Sequence, residues 1–350
     1  MSVSQPAVTM VKRKLAPNSH TVTVVQLKPS MMAEYIEYDW GLRNSLIRDL
    51  QQPITTADKK NALQNLKDLI DASIDFALKD KSCGQDDTFL TRFLYARKFN
   101  VAESFDLVIS YYSYRQRNPI LFNDLSCLDE SVQLALRDGC PGVLPERDRR
   151  GRKVLVLFTS DWDYCAYGLE AVYRALLLTL EKLLEDKQNQ ASGFVIVVDW
   201  TDFSFRQSTH LNPRVLKLMI EGLQDCFPAR FKGIHFIGQP WYVEVALSAI
   251  KPFLKDKTRE RIYMHGNNLS TLHKHVTKDI LPAELGGEGP SFNPSVWLQT
   301  LLEGADSAAK PIHTYSKDNI HNGIKKIDIN KKLSKDTEDK DHDKLLTDNP

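Results

Sequence analysis

No run of apolar residues in this sequence reaches the roughly 18 that a membrane-spanning helix needs. A chain embedded in a bilayer is therefore not expected. Cysteine is scarce: five in 350 residues, at Cys83, Cys127, Cys140, Cys165 and Cys226, with no C-x-x-C pair. An odd, scattered set reads as reduced thiols of the cytosol, which excludes a disulfide frame or a cysteine-rich zinc site. Excess charge is missing too. The 46 Lys and Arg residues against 45 Asp and Glu leave a formal net charge of +1. There is no bulk attraction for nucleic acid or an anionic membrane, so any such affinity must come from a local patch. Lys12, Arg13 and Lys14 precede only the short Thr21–Val25 run, too little for a signal-peptide core. The expectation is a cytoplasmic chain that meets membranes from the side.

The motifs of common enzyme chemistries are also lacking. There is no G-x-G-x-x-G after an apolar run and no G-x-x-x-x-G-K-S/T, so nucleotide phosphates have no glycine-rich cradle. There is no G-x-S-x-G to present a strained serine nucleophile. His273 and His275 stand two apart in a helical stretch and face different ways, which is poor metal geometry. Asp199 ends an apolar run, where a carboxylate commonly caps the next turn. We expect no enzyme activity, no cofactor and no metal.

What is present is 42% hydrophobic and 26% charged residues, enough for a globular protein with a sizeable core. Residues 1–30 show no helical period and read as a mobile arm. Residues 31–118 read as a helical subdomain. Leu63, Leu66, Ile70, Ile74 and Ala77 form one stripe, Val101, Phe105, Val108 and Tyr112 another, and Phe89, Leu90, Phe93 and Leu94 a short apolar face between them. Residues 119–303 change pattern. Lys153–Phe158, Gly193–Trp200, Gly233–Gly238 and Arg261–His265 have strand length, and the first three are almost continuously apolar. Such runs suit a parallel sheet covered on both faces. Helical segments Leu169–Glu185, Pro213–Cys226 and Pro240–Leu254 lie between them, so the fold class is α/β with right-handed βαβ units. Residues 304–350 are too polar to bury a core and read as a disordered tail.

Pro240–Leu254 (PWYVEVALSAIKPFL) is the most informative helix. Its apolar residues cover nearly the whole circumference, interrupted only by Glu244, Ser248 and Lys251. A helix apolar all round needs apolar partners all round. Two readings stand at this point: a fully buried core helix, or a lid with one face over a cavity and the other against lipid. Charged residues follow at once, including Lys257 and Arg261. Arg230 and Lys232 precede the Gly233 strand, and Arg97 shares an i, i+4 column with Phe89 and Phe93. Cations beside an apolar lid suit lipid phosphates, which take charge-assisted hydrogen bonds.

The run FLTRFLYARKFN (Phe89–Asn100), the long string from Phe227 to Asn268 and DILPAELGG (Asp279–Gly287) resemble the CRAL-TRIO lipid-binding family. The resemblance covers roughly Asp58 to Leu302 and is strongest to the branch of clavesin, α-tocopherol transfer protein and cellular retinaldehyde-binding protein, with clavesin nearest. It implies a helical N-terminal subdomain against an α/β lipid cage, with a mostly parallel sheet and a mobile gate helix. By motif it implies phosphoinositide contacts at Arg97, Arg230, Lys232, Lys257 and Arg261, with Tyr95 where the family motif has another arginine. It implies a lipid pocket at Phe158, Trp162, Tyr173, Leu180, Phe194, Leu223, Ile234, Ile250 and Leu254. Leu176 and Leu180 replace serines of the tocopherol pocket, so a drier cavity is expected.

Two functions follow from the resemblance. One is intracellular lipid transfer, with a hydrophobic ligand inside and phosphatidylinositol bisphosphate at the mouth. The other is a trafficking protein recruited by phosphoinositides to endosomal or Golgi-derived membranes, with Asp341–Leu346 (DHDKLL) as an acidic dileucine pattern for clathrin adaptors. Expected partners are thus a hydrophobic small molecule or lipid, phosphoinositide-containing membranes and, in the second reading, clathrin adaptors. Nucleic acid is not among them.

Overall fold

A computed structural model describes residues 54–78 and 81–307, together with two short strands nearer the start of the chain. In the first compact unit, Met1–Lys59, β1 (Thr9–Lys12) pairs antiparallel with β2 (Thr23–Gln26). The rest of the expected arm, the tail beyond Ser307 and the Asp341–Leu346 pattern lie outside the described residues.

The helical part begins with α1 (Thr56–Ala72), α2 (Asp87–Ala96) and α3 (Val101–Arg117). Each start has a polar cap. Asp58 and Thr55 satisfy each other's backbone N–H groups at 3.1 and 3.0 Å. The Asp86 carboxylate accepts from Phe89 N at 2.9 Å, and the Asn100 amide oxygen from Glu103 N at 3.2 Å. Such side chains occupy donors that a helix leaves open at its first turn. Ala62, Leu66 and Ile70 are buried on α1 at helical spacing. The expected stripe breaks at Ile74, which is fully exposed because the helix ends at Ala72.

The sheet has five strands in the order β3 (Gly142–Arg147), β4 (Lys153–Phe158), β5 (Phe194–Asp199), β6 (Phe231–Ile237) and β7 (Ile262–Met264). β4 to β7 are parallel, and β3 runs antiparallel at the edge. β3 was not foreseen. Its six residues include Pro145 and two charges, so no continuous apolar run marks it, and a proline in a strand suits only an edge.

Because strand order follows chain order, right-handed crossovers place the connecting helices on one face. Strand alternation then sorts the side chains. Leu155, Ile196, Val198 and Phe236 face the helices and join a core running from Ala62 to Leu301. Val154, Val156, Val195, Val197 and Ile237 face the other way, onto Leu272, Val276, Leu281 and Leu285. This second cover comes from the segment after β7, so the apolar character of the strands on both faces is accounted for.

α4 (Glu130–Arg137) packs against α5 (Leu169–Leu183), and α5 meets the helical part. Glu181 on α5 is buried among Arg92 Nη1 at 2.7 Å, Arg115 Nη1 at 3.5 Å and the Tyr111 hydroxyl, which donates at 2.5 Å. One carboxylate thereby pins α2 and α3 to the α/β part. α6 (Pro213–Glu221) ends in a π-turn, Gly222–Cys226. Gly222 is required there: a Cβ would sit 2.0 Å from the Tyr173 hydroxyl and 2.9 Å from that of Tyr114.

α7 (Trp241–Ile250) is shorter than its apolar pattern suggested, with Pro240 as its N-cap and a tight turn, Lys251–Phe253, after it. Pro252 has no N–H to continue the ladder. α8 (Pro294–Ser307) closes the described part and runs past the boundary read at residue 303. Among the described residues no helix is long and apolar enough to cross a membrane.

Candidate functional site

The helix-facing side of the sheet, α5, α6 and α7 enclose a cavity of about 800 Å³. Its walls are apolar: Leu157, Ile196 and Val198 from the central strands, Ile234 and Phe236 from β6, and Leu169, Val172 and Leu176 from α5. The last three stand at i, i+3 and i+7, one stripe of a helix. Leu216, Met219 and Leu223 add the α6 side, and Val243, Leu247, Ile250 and Leu254 the gate side. The polar groups Cys140 and Thr159 are already committed, donating to Phe158 O at 3.3 Å and Asp199 O at 2.7 Å. The interior wall is therefore largely apolar; the buried Trp200 Nε1 has no partner among the described residues.

At the C-terminal ends of the strands the cavity meets aromatic rings. Trp162 and Phe203 lie 6.5 Å apart and nearly parallel, and Trp200 meets Phe203 edge-on at 4.8 Å. The Tyr242 hydroxyl of α7 donates to Phe203 O, so the start of the gate is tied to this wall.

At the other end the lining turns cationic. Arg97, Arg230, Lys232, Lys257 and Arg261 all reach the mouth, as do Lys98 and Lys255, against the carboxylates Glu103 and Asp225. Arg261 Nη1 donates to Phe231 O at 2.6 Å, fixing the guanidinium beside the start of β6. Burial holds the Lys257 ammonium below its ordinary pKa, and Arg261, Lys98 and Arg97 push it further down. A cation that is costly to charge beside other cations gains most from an anion placed among them.

Lys98 and Lys255 match no basic position of the family motif, so the resemblance does not point to them. Lys98 is marked by its backbone, not by its residue type. Lys98 and Phe99 both have left-handed φ, 53° and 63°. Such conformations cost about 1–3 kcal/mol each and persist only when the surroundings enforce them. Here Phe99 N donates to Leu94 O at 2.7 Å and the Phe99 ring packs edge-on against Tyr95 at 5.0 Å. The turn carries Arg97 and Lys98 to the mouth.

Of the residues expected in the pocket, Trp162, Leu223, Ile234, Ile250 and Leu254 line it, whereas Phe158, Tyr173, Leu180 and Phe194 do not. Strand parity sends Phe158 to the opposite face, against Phe292 at 5.3 Å. Tyr173 turns to the helical part, its hydroxyl 3.1 Å from that of Tyr114. Leu180 is fully buried, one turn beyond Leu176 where the cavity has ended. Phe194 has the right parity but begins its strand and is fully buried behind Phe231, whose ring is 6.2 Å away.

The gate helix has two unlike faces. Val243 and Leu254 are buried inward, while Trp241, Val245 and Phe253 are exposed. Phe205 extends the outer apolar surface, with its ring 5.4 Å from Tyr242. α7 is therefore not a fully buried core helix.

The remaining candidates of the sequence have structural roles. The Asp199 carboxylate accepts from Thr201 N at 2.9 Å, capping the turn after β5. His273 is 3.0 Å from Leu285 O, and His275 packs on Tyr263 at 4.5 Å. Among the described residues no group of three or more His, Cys, Asp or Glu side chains is arranged to hold a metal.

Residues 137–287 match the CRAL/TRIO domain family. The chain is 49% identical over 235 residues to clavesin-1 of Xenopus laevis, covering 67% of this chain and 70% of that one. It is 46% identical over 253 residues to clavesin-2 of Mus musculus, covering 71% and 75%. A crystal structure of Sfh5 aligns at a TM-score of 0.47 and 16% identity, over 79% of this chain and 99% of that one.

Proposed function

Since this chain belongs to the CRAL/TRIO family and resembles clavesins along most of its length, we propose that it binds a hydrophobic, lipid-like ligand in the cavity and a phosphatidylinositol bisphosphate headgroup at the cationic mouth. Its role is then intracellular lipid transfer. The carrying observation is convergence. Five cations from three separate stretches of a chain with net charge +1 line one end of a single apolar cavity. A patch of that kind supplies the local field that the whole molecule lacks.

The exposed outer face of α7 supports a lid that meets lipid, since apolar faces flanked by cations lie in the bilayer interface. Lys257→Ala with Arg261→Ala is expected to weaken binding to phosphoinositide vesicles about tenfold or more, through lost charged hydrogen bonds. Liposome flotation with matched phosphatidylserine vesicles tests this. Equal losses on both lipids would reduce the site to general electrostatics, and no loss on either would remove it.

A further inference from the structure

We propose that the acidic segment Asp336–Asp343 of this same chain docks on the cationic mouth and competes there with a phosphate headgroup. The inference rests on the function proposed above and adds regulation to that site.

The charge of the mouth is one-sided. Seven cations line it, against the carboxylates Glu103 and Asp225. Arg261, Lys98 and Arg97 act on Lys257 and make it harder to charge. Cations that repel one another favour any anion seated among them. The chain as a whole nevertheless has a net charge of only +1, so balancing carboxylates stand elsewhere in the sequence. One concentration of them is Asp336–Asp343 (DTEDKDHD), with five carboxylates and one lysine. The stretch before it has the opposite sign, with Lys325, Lys326, Lys331, Lys332 and Lys335. The mouth repels that lysine-rich stretch, so the acidic segment is the part that fits.

α8 delivers the chain to the correct end of the sheet. The helix ends at Ser307, and a Cβ on Gly304 would lie 3.1 Å from Lys182 Nζ. Lys182 belongs to the last turn of α5, which leads toward the start of β5. There Phe194 N donates to Arg230 O at 2.9 Å, and Arg230 is a mouth residue. Asp336 follows Ser307 by 29 residues. At about 3.3–3.6 Å per residue that is up to roughly 100 Å of chain. A domain of about 250 residues has a radius of gyration of only about 18 Å. The mouth is within reach, and a tethered segment competes as an intramolecular ligand.

The mouth is a better partner than the neighbouring lysines. Ion pairs between solvated side chains contribute little. The mouth instead holds its cations in place, as where Arg261 Nη1 donates to Phe231 O at 2.6 Å. Burial has also removed part of the hydration of Lys257, so an anion there meets a poorly screened charge.

Carbodiimide coupling of the full-length protein, which joins a lysine amine directly to a carboxylate, tests the contact. Lys98, Lys232 and Lys257 are expected to couple to Asp336–Asp343 within one chain at low ionic strength, and to lose that coupling at about 0.5 M salt. The Lys255–Asp225 pair is the internal standard. Flotation on phosphatidylinositol bisphosphate vesicles tests the competition. Asp336→Asn, Glu338→Gln, Asp339→Asn, Asp341→Asn and Asp343→Asn together should strengthen binding by about fivefold or more at low ionic strength. A synthetic peptide of residues 336–343, added in excess, should reverse that gain.

Coupling that is absent, confined to Lys325–Lys335 or found only between two chains would overturn the docking. Equal vesicle affinity of the natural and neutral forms would overturn the competition. Coupling at the mouth with no flotation of either form would support the docking and overturn the proposed function instead.

Discussion

The backbone N–H of Lys255 donates to the side-chain carbonyl oxygen of Gln224 at 2.7 Å. The segment leaving the gate is thereby fastened to the π-turn at the end of α6. Gln224 Nε2 also donates to Phe253 O at 3.4 Å, and the Lys255 ammonium pairs with the Asp225 carboxylate. Gln224 and Asp225 therefore hold the segment after α7, at the end opposite the Tyr242 contact. Lys255 is both a latch residue and a mouth cation, so an anion drawn to it competes with Asp225.

Loosening this latch is expected to speed exchange rather than abolish binding. Gln224→Ala with Asp225→Asn removes hydrogen bonds worth about 1 kcal/mol in net terms, or roughly a fivefold change in the open population. Stopped-flow transfer of a fluorescent lipid between vesicles should accelerate by that order. An unchanged rate with unchanged affinity would mean that the contacts do not restrain the lid.

Ile234 and Phe194 should separate cleanly. Phe194→Ala empties a fully buried site behind the cavity and is expected to cost about 3–5 kcal/mol of stability. Ile234→Ala enlarges the cavity wall, with a smaller shift in the urea midpoint and a clear change in ligand affinity. Equal stability losses would place Ile234 in the packed core.

The lid's two faces make opposite predictions for neighbouring residues. Phe253 is half exposed on the outer face, whereas Leu254 is buried inward. Phe253→Ser with Trp241→Ser should reduce vesicle partitioning and leave the melting temperature almost unmoved. Leu254→Asp should lower the melting temperature sharply, since it buries an unpaired carboxylate. A melting loss for the outer pair as large as that for Leu254→Asp would show that the outer face is covered in the folded protein.

The sheet's other face carries a pH-sensitive group. His235 is buried, with Nδ1 2.9 Å from His265 Nε2, stacked on Tyr263 at 4.8 Å and 5.0 Å from His275. Burial first, then His275, His265 and Arg152, push its pKa from 6.5 down to about 3. Asp148 pairs with Arg152 and offsets part of that field. The unfolded chain binds this proton more readily than the folded one. The contribution to stability is therefore full above pH 6.5 and is lost as pH falls toward 3. At pH 5 the loss is about 2 kcal/mol for one such histidine. His235→Phe should flatten the fall in melting temperature between pH 7 and 5. A slope equal to that of the natural protein would assign it to other groups.

Much of the architecture was legible because it rests on short-range rules. Apolar runs of strand length and a helical segment mark β4, β5, β6 and α5 within a residue or two at the ends, and apolar stripes mark the presence of α2 and α3 without their bounds. β3 was not legible, because Pro145 and its charged neighbours hide a strand that only the edge of an existing sheet can recruit. The five motif cations were picked out by resemblance, but nothing in their spacing brings Arg97 to Lys257. Lys98 depends on a left-handed turn that its residue type does not announce.

Residue type alone determined that the chain folds as α/β, that its strands are buried on both faces and that its gate is apolar all round. It did not determine which apolar residues face empty space. That depends on strand parity, which turned Phe158 to the far face. It depends on depth along the strand, which left Phe194 behind Phe231. It depends also on where a helix passes the end of the cavity, which separated Leu176 from Leu180. Burial in a core and burial at a cavity wall require the same side chains, because both remove apolar surface from water. Only the tertiary arrangement of the layers decides between a neighbour and a void.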